Sequence, residues 1–352
     1  MVFAKYNFRM IKTLLIIVVC AIGMVSSLEL SARDPIKAEQ IFENLGFSTA
    51  DRKKLMQGDL VSKTLNSSSE HELIVAFAFY VKLPADKLFN EIRKQPLIAV
   101  DPAVINWALI TDGTLEDFKT LELSRYEEER ARKYLKAEPG KDLNLDRDEI
   151  ARFNAIKVPH NQSAVTSVTK AIRTQLLARF QAYRQSGLSG ISPYERNQQS
   201  TSAGIYLKKA TEASVVLKTV MPDFYKVLLS YPENKPEGFE EEFMWINYKA
   251  HEDPVFVLSH NLRMADSSSK VFVTVQRHFY VSSDYNAGQS VSGLIPVDDG
   301  SGTIIFYVNK VFSDNLTGLG SSIKKSIGSE IMITQLKKLF GKARTEVEES
   351  AR

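Results

Sequence analysis

The sequence predicts an α+β protein, in which an antiparallel sheet packs against a long C-terminal helix and a large helical insert interrupts the sheet. Residues 72–82 are a strand-like run rich in β-branched and aromatic side chains, and residues 115–229 are patterned mainly as helices. Past residue 232 the chain reads as five short strands, and one long helix follows from Leu319 to Lys342. The links between these strands are too short for parallel crossovers, so antiparallel pairing is expected.

The composition is that of a globular protein of about two domains. Of its 352 residues, 44% are hydrophobic and 25% are charged, and 45 Lys and Arg against 42 Asp and Glu give a net charge of +3. These values exclude a disordered chain, and a charge so balanced does not favour nucleic-acid binding. The single cysteine, Cys20, excludes a disulfide framework and a thiolate zinc site.

The first 27 residues have the order of a secretory signal peptide. Three basic residues precede an apolar run from Leu14 to Val25, and the small residues Ser26 and Ser27 follow. This run has 12 residues, whereas a membrane-spanning helix needs about 20. We therefore predict cleavage after Ser27 and a periplasmic or secreted protein. An uncleaved N-terminal membrane anchor is the alternative.

The next segments are predicted as a helical lead over residues 28–69, then the strand at 72–82 and an amphipathic helix. Pro84 suits the first turn of that helix, because the N–H that proline lacks would be unpaired there. Residues 101–231 form the helical insert. Its candidate helices are Leu115–Ala137, Asp146–Ile156, Ala164–Ser186 and Ile205–Leu229, the last bent or broken at Pro222.

Residues 142–148 alternate oxygen-bearing side chains as a calcium loop does. However, Arg147 stands where that loop needs glycine, and Phe153 stands where it needs a bidentate carboxylate. A helix start is expected instead, with Asp146 as N-cap and Glu149 in a capping-box-like arrangement.

The five later strands are predicted at Glu242–Lys249, Val255–Met264, Val271–Ser282, Gln289–Pro296 and Gly302–Phe312. With the insert excised, the order of strand, helix, antiparallel strands and long C-terminal helix resembles the START-like (SRPBCC, helix-grip) superfamily. The segments that carry the resemblance are Leu73–Val81, the passage through Leu83-Pro84-Ala85 to Phe89, the strands from Phe243 to Phe312, and the helix from Leu319. The resemblance assigns residues 70–100 and 232–345 to a START-like domain. The segment Phe306–Gly328 also resembles exported bacterial proteins, and that likeness implies no activity.

Six polar residues are the candidate ligand-binding set. By the two-residue period of a strand, His260 shares a face with Phe256 and Leu258, and His278 shares a face with Gln276 and Tyr280. Both rows are otherwise mainly apolar, which suits a cavity that orients an apolar ligand. We predict that the set consists of His260, Gln276, His278 and Tyr280, with Asn309 and Asp314 as a second group. The alternatives are hydrogen-bonded core histidines and a network of turn hydrogen bonds.

The leading functional hypothesis is a non-catalytic binder or carrier of an apolar small molecule such as a lipid. Several strands are apolar on both faces, and their aromatic content is high, with Tyr248 and Tyr307 among the residues concerned. An enzyme of the same fold, a hydrolase or cyclase with His260 or His278 as acid and base, is one alternative. A structural envelope protein that binds a partner through the insert is another.

No cofactor or metal is predicted. The glycine-containing turn at 318–322 lacks the third glycine of a dinucleotide loop and the lysine of a phosphate-binding loop, and the five histidines form no paired-ligand motif. The basic helices at 164–186 and in the last segment permit peripheral membrane contact, with a solvated outer face as the alternative. A cavity of about 300 Å³ or more would favour a binder or an enzyme over a structural protein.

Overall fold

An antiparallel sheet of eight strands organises the chain. The computed structural model describes residues 38–350 except for 95–96, 100, 125, 141, 160, 251–252, 267–269 and 298–299. The strands are β1 (Val61–Leu65), β2 (Glu72–Val81), β3 (Val104–Leu109), β4 (Tyr194–Glu195), β5 (Ser200–Thr201), β6 (Glu240–Ala250), β7 (Asp253–Asp266), β8 (Val271–Val281), β9 (Ala287–Pro296) and β10 (Thr303–Phe312). The large sheet has the order β1-β2-β10-β9-β8-β7-β6-β3, and β4 and β5 form a separate hairpin. The predicted α+β class with an antiparallel sheet is confirmed.

Helices precede, interrupt and follow the sheet. They are α1 (Ala38–Asn44), α2 (Thr49–Met56), α3 (Ala85–Lys94), α4 (Glu128–Leu135), α5 (Arg147–Asn154), α6 (Val165–Ser186), α7 (Ala203–Glu212), α8 (Val215–Val220), α9 (Pro222–Ser230) and α10 (Ser321–Ser350). Within the described ranges, no helix is both long and apolar enough to cross a membrane. The predicted signal peptide, residues 1–27, lies outside the described residues.

The long C-terminal helix, α10, packs on one face of the sheet. Its Phe340 is buried among Phe77, Phe79 and Tyr307, with ring centroids 4.9–5.7 Å apart. The Cα of Gly328 lies close to β2, where an added Cβ would come within 3.0 Å of Leu73. We call this side of the sheet the C-helix face.

The opposite side, the insert face, is covered by α4 to α9. One continuous core joins alternate residues of the strands to these helices, with Trp245 and Phe256 from the sheet against Phe180 and Tyr183 from α6. Polar contacts add to the packing, because Asn144 donates hydrogen bonds to the carbonyl oxygens of Val281 and Tyr285.

Three element predictions differ from the structure. The predicted helical lead ends in strand β1, which pairs with β2, and the predicted insert begins with β3, which pairs with β6. Both strands are held by partners distant in sequence, which local pattern does not record. The helix predicted over Leu115–Ala137 is only a short 3₁₀ turn and α4. By contrast, α5 starts as expected, with Asp146 and Glu149 forming a capping box, and Pro222 begins α9.

Candidate functional site

The six sequence-predicted site residues fall in three places. Three lie on the C-helix face, two lie on the insert face, and one lies just beyond the end of β10. Gln276, His278 and Asn309 lie on the C-helix face. His260 and Tyr280 lie on the insert face, and Asp314 lies just beyond the end of β10. The structure therefore brings only part of the predicted set together.

A β-bulge explains why Tyr280 is not on the face of His278. In the pairing of β7 with β8, Leu258 is opposite Tyr280 and Ser259 is opposite His278, so Phe279 has no partner. The extra residue shifts the alternation by one position, and Phe279 and Tyr280 both join the core of the insert face. The expectation that Tyr280 continues the row of His278 is wrong for this reason.

His260 is fully buried on the insert face, and both of its ring nitrogens are bonded. The Tyr183 hydroxyl lies 3.0 Å from Nδ1, Glu241 Oε2 lies 3.1 Å from Nε2, and the ring stacks on Phe243 at 4.0 Å. The neutral tautomer that satisfies both contacts has Nε2–H donating to the carboxylate and Nδ1 accepting from the phenol. Burial lowers the pKa of His260 to about 4, although Glu241 acts against this shift.

Tyr280 belongs to a second buried network of the insert face. Its hydroxyl accepts a hydrogen bond of 2.9 Å from Gln175, and the guanidinium of Arg179 lies 4.4 Å from its ring centroid. Arg179 is in turn paired with Glu149 through two hydrogen bonds of 2.7 and 2.6 Å. These contacts fix α5 and α6 to the sheet.

Asp314 joins a third network, at the end of β10. Its Oδ2 accepts a hydrogen bond of 2.9 Å from Arg196, which also binds Asn144 and Asn286 at 2.8 and 3.1 Å. His71 Nδ1 lies 3.2 Å from the other carboxylate oxygen. These contacts attach the hairpin of β4 and β5 to the sheet. For Asp314 they correspond to the alternative given above, a network of turn hydrogen bonds.

A strip of polar side chains crosses the middle of the C-helix face. It separates an apolar cluster around α10 and α3 from a second apolar cluster around β6, β7 and β3. The strand register aligns the strip in two rows, which are Asn309, Ser290, Gln276, Asn261 and Glu242 in one, and Tyr307, Ser292, Thr274 and Arg263 in the next. Two apolar regions with polar groups between them are the usual lining of a small-molecule site.

His278 lies at one side of this strip and has an unused polar atom. Its Nδ1 is 2.7 Å from the Tyr285 hydroxyl, while its Nε2 is buried and has no hydrogen-bond partner among the described residues. Directly opposite, on β7, the Ser259 hydroxyl is buried and equally lacks a partner there. Desolvation lowers the pKa of His278 to about 4, so the ring is neutral at pH 7. Gly288, its neighbour on β9, contributes no side chain.

Two tyrosines lie beside His278, and a third belongs to the strip. Tyr248 comes from β6, Tyr285 from the turn before β9, and Tyr307 from β10, where it hydrogen-bonds Ser290. Burial raises the pKa of Tyr307 to about 12, and it also raises the pKa of Tyr248 and of Tyr285. All three phenols therefore remain protonated at neutral pH and supply hydroxyl groups. Each side chain is partly exposed.

No family model matches this chain, and no curated protein matches it either.

Sequence reasoning missed Ser259, Ser290 and Tyr285 as members of this region and placed Tyr248 and Tyr307 only among core aromatics. The high tyrosine content of the strands was the available signal. This signal is weak. The residues come together only through the order of β6, β8, β9 and β10 in the sheet, which composition does not show.

A separate cavity of about 180 Å³ lies on the insert face between α1, α8 and the strands β1, β2 and β10. It contains Lys310, whose ammonium is 3.8 Å from Glu72 in a mainly aliphatic lining. Desolvation lowers the pKa of Lys310. The cavity is smaller than the roughly 300 Å³ expected for a site that encloses a drug-sized ligand. It contains none of the six predicted residues.

Proposed function

We propose that the protein is an extracytoplasmic, non-catalytic binder or carrier of a largely apolar small molecule, such as a lipid, held on the C-helix face. The polar strip and His278 Nε2, which has no hydrogen-bond partner among the described residues, are the observation that carries the proposal. A ligand with an apolar body and one hydrogen-bonding group matches two apolar clusters separated by polar side chains. The signal-like order of residues 1–27 supports the location.

A START-like fold is part of the proposal. Its support is the sheet order, in which β2 lies beside β10 and the chain passes from β10 into α10. Because of that order, α10 can cross the sheet beside β2, which is the chain's first long strand. The helices of the insert pack on the opposite face, so they do not contribute to the strip.

One geometry supports a second candidate, a hydrolase. Ser259 and His278 are direct cross-strand partners, and a serine beside a neutral histidine is the start of a nucleophilic pair. His278 is oriented by the Tyr285 phenol rather than by a carboxylate, which is a weaker arrangement for stabilising an imidazolium.

The test uses the fluorescent fatty acid 11-(dansylamino)undecanoic acid as probe. We expect the full chain to bind it, and we expect His278→Ala to weaken binding at least tenfold while the melting temperature changes little. His260→Ala is the matched control on the other face, and it should melt earlier yet bind the probe normally when folded. Ser259→Ala and Gln276→Ala repeat the measurement in case His278→Ala does not fold.

Equal probe affinity in the wild type and in all three C-helix-face variants would overturn the proposed site. Labelling of Ser259 by a fluorophosphonate, together with turnover of a p-nitrophenyl ester that Ser259→Ala abolishes, would replace the binder with the hydrolase.

A further inference from the structure

The outward side of α10 and the turn before it carry an aliphatic stripe. Leu319 is 99% exposed, and Ile323, Ile327 and Ile331 are 66%, 53% and 52% exposed. The four residues are spaced by four positions, so the three on the helix lie on one side of it. We call these four residues the exposed stripe. The opposite side of the helix is packed against the sheet through Met332, Leu336 and Phe340.

The stripe is unlike the other exposed apolar side chains of the described residues. The remaining large ones are distributed over other elements, and they are Met56, Ile105, Leu109, Leu115, Tyr126, Ile205 and Val215. Single exposed aliphatic residues are ordinary on a protein surface, whereas a continuous row marks a surface that meets an apolar partner.

The turn that carries Leu319 projects from the molecule. Gly318 and Gly320 flank the leucine with φ angles of 78° and 74°, a conformation that favours glycine, and a Cβ added to either would touch nothing within 4 Å. Lys324 donates a hydrogen bond of 2.9 Å to the carbonyl oxygen of Thr317, which ties the turn to the helix.

The charge along the same side of the helix is positive. The lysines are concentrated in residues 315–342, which contain five lysines and one glutamate, whereas Glu346, Glu348 and Glu349 follow near the end of α10. At ~100° per residue, Lys324, Lys338 and Lys342 and one acidic residue, Glu330, lie within roughly 60° of Ile327, so the stripe side is net positive between residues 321 and 342. Lys342 also lies 3.8 Å from Glu346. An aliphatic row followed by lysines on one exposed helix side matches an anionic lipid surface, which offers acyl chains beneath phosphates.

We propose that α10 docks on an anionic lipid bilayer, with Leu319, Ile323 and Ile327 at the boundary of headgroups and acyl chains. Lys338 and Lys342 then contact lipid phosphates, and the helix lies parallel to the membrane plane. Because α10 is already anchored to the sheet by its other side, docking needs no unfolding of the helix. This surface is distinct from the polar strip, and the proposal stands whether or not the strip binds a ligand.

Co-sedimentation with phosphatidylglycerol vesicles and with phosphatidylcholine vesicles tests the proposal. The full chain is used throughout with one constant N-terminus, so that differences arise only from the substitutions. We expect the triple variant Leu319→Ser, Ile323→Ser, Ile327→Ser to lose at least tenfold in affinity for phosphatidylglycerol vesicles. Ile205→Ser, which replaces an equally exposed isoleucine on α7, should bind as the wild type does.

The contribution of the lysines is tested with the double variant Lys338→Gln, Lys342→Gln. It should bind phosphatidylglycerol vesicles several-fold more weakly, and its binding should be less sensitive to salt. Equal sedimentation of the wild type and the triple variant overturns the proposal. A concentration-dependent dimer in analytical ultracentrifugation that the triple variant abolishes, without vesicle binding by the wild type, also overturns it in favour of a second copy of the chain.

Discussion

His260 on β7 and His278 on β8 differ in what their ring nitrogens contact, although burial lowers the pKa of both to about 4. His260 has Tyr183 on one nitrogen and Glu241 on the other, and it is packed between helices and sheet. His278 has Tyr285 on one nitrogen, while the other is buried and lacks a partner in the described part of the chain.

The two histidines show that burial and pKa alone do not distinguish a structural residue from a candidate ligand contact. A histidine with both nitrogens bonded within the protein has no capacity left for a ligand. One with a buried free nitrogen carries a desolvation cost that a bound molecule could remove. At these two positions, then, the insert-face histidine stabilises the packing of helix on sheet, and the C-helix-face histidine keeps one unused hydrogen-bonding atom among the described residues.

The largest expected effect tests the insert face. Arg179→Met leaves the carboxylate of Glu149 buried without its bidentate partner, so we expect a loss of about 3–5 kcal/mol in the free energy of unfolding. Urea denaturation measures it. Probe binding on the C-helix face should persist in the fraction that remains folded.

Arg147→Met is the matched control, because Arg147 pairs with Glu195 but its side chain is 83% exposed. Its removal should cost less than about 1 kcal/mol. Adding Glu149→Leu to Arg179→Met should recover part of the lost stability. A small effect of Arg179→Met would contradict the view that this buried pair between α5 and α6 stabilises the insert face.

The second effect is a dependence of stability on pH. Since the pKa of His260 is about 4 in the folded protein and about 6.5 when unfolded, the unfolded state binds more protons between these values. The stabilisation is complete above about pH 6.5 and is lost as the pH falls toward 4, by about 3 kcal/mol for this residue. Urea denaturation at a series of pH values measures the slope.

His260→Gln should remove this share of the slope, while the share of His278 remains. If the slope between pH 6.5 and 4 is the same in wild type and variant, His260 does not have the low folded-state pKa on which the comparison depends.

Local patterns predicted the parts of the fold that local interactions determine. The capping box of Asp146 and Glu149 depends on four consecutive residues, and the alternation of β7 correctly placed His260 beside Phe256 and Leu258. Strand β3 was missed, because its stability comes from pairing with β6, more than 130 residues later.

The candidate site was less predictable for the same reason. One unpaired residue at Phe279 reversed the side of Tyr280, and a bulge leaves no mark in composition. Tyr248 meets His278 only after strands distant in sequence are assembled, and Tyr307 joins the strip in the same way. Period-two reasoning could find rows within a strand, but the order of strands in the sheet decides which rows become neighbours.

The smallest expected effect tests the comparison of the two faces most directly, because each of two substitutions, one on each side of the sheet, removes a single hydroxyl oxygen. The Ser259 hydroxyl is buried without a partner among the described residues, so Ser259→Ala should alter the free energy of unfolding by less than about 0.5 kcal/mol. The Ser282 hydroxyl is equally buried, but it accepts a hydrogen bond of 2.9 Å from the backbone N–H of Phe256. Ser282→Ala should therefore cost about 1 kcal/mol.

Probe binding should show the reverse order. Ser259→Ala should lower affinity for the dansylated fatty acid, because the hydroxyl that lies opposite His278 is then no longer available to the ligand. Ser282→Ala should retain the wild-type affinity, because its hydroxyl serves the backbone of β7. If Ser259→Ala instead destabilises the protein as much as Ser282→Ala and binds the probe normally, Ser259 has a structural partner, and the contrast between the two faces fails at this position.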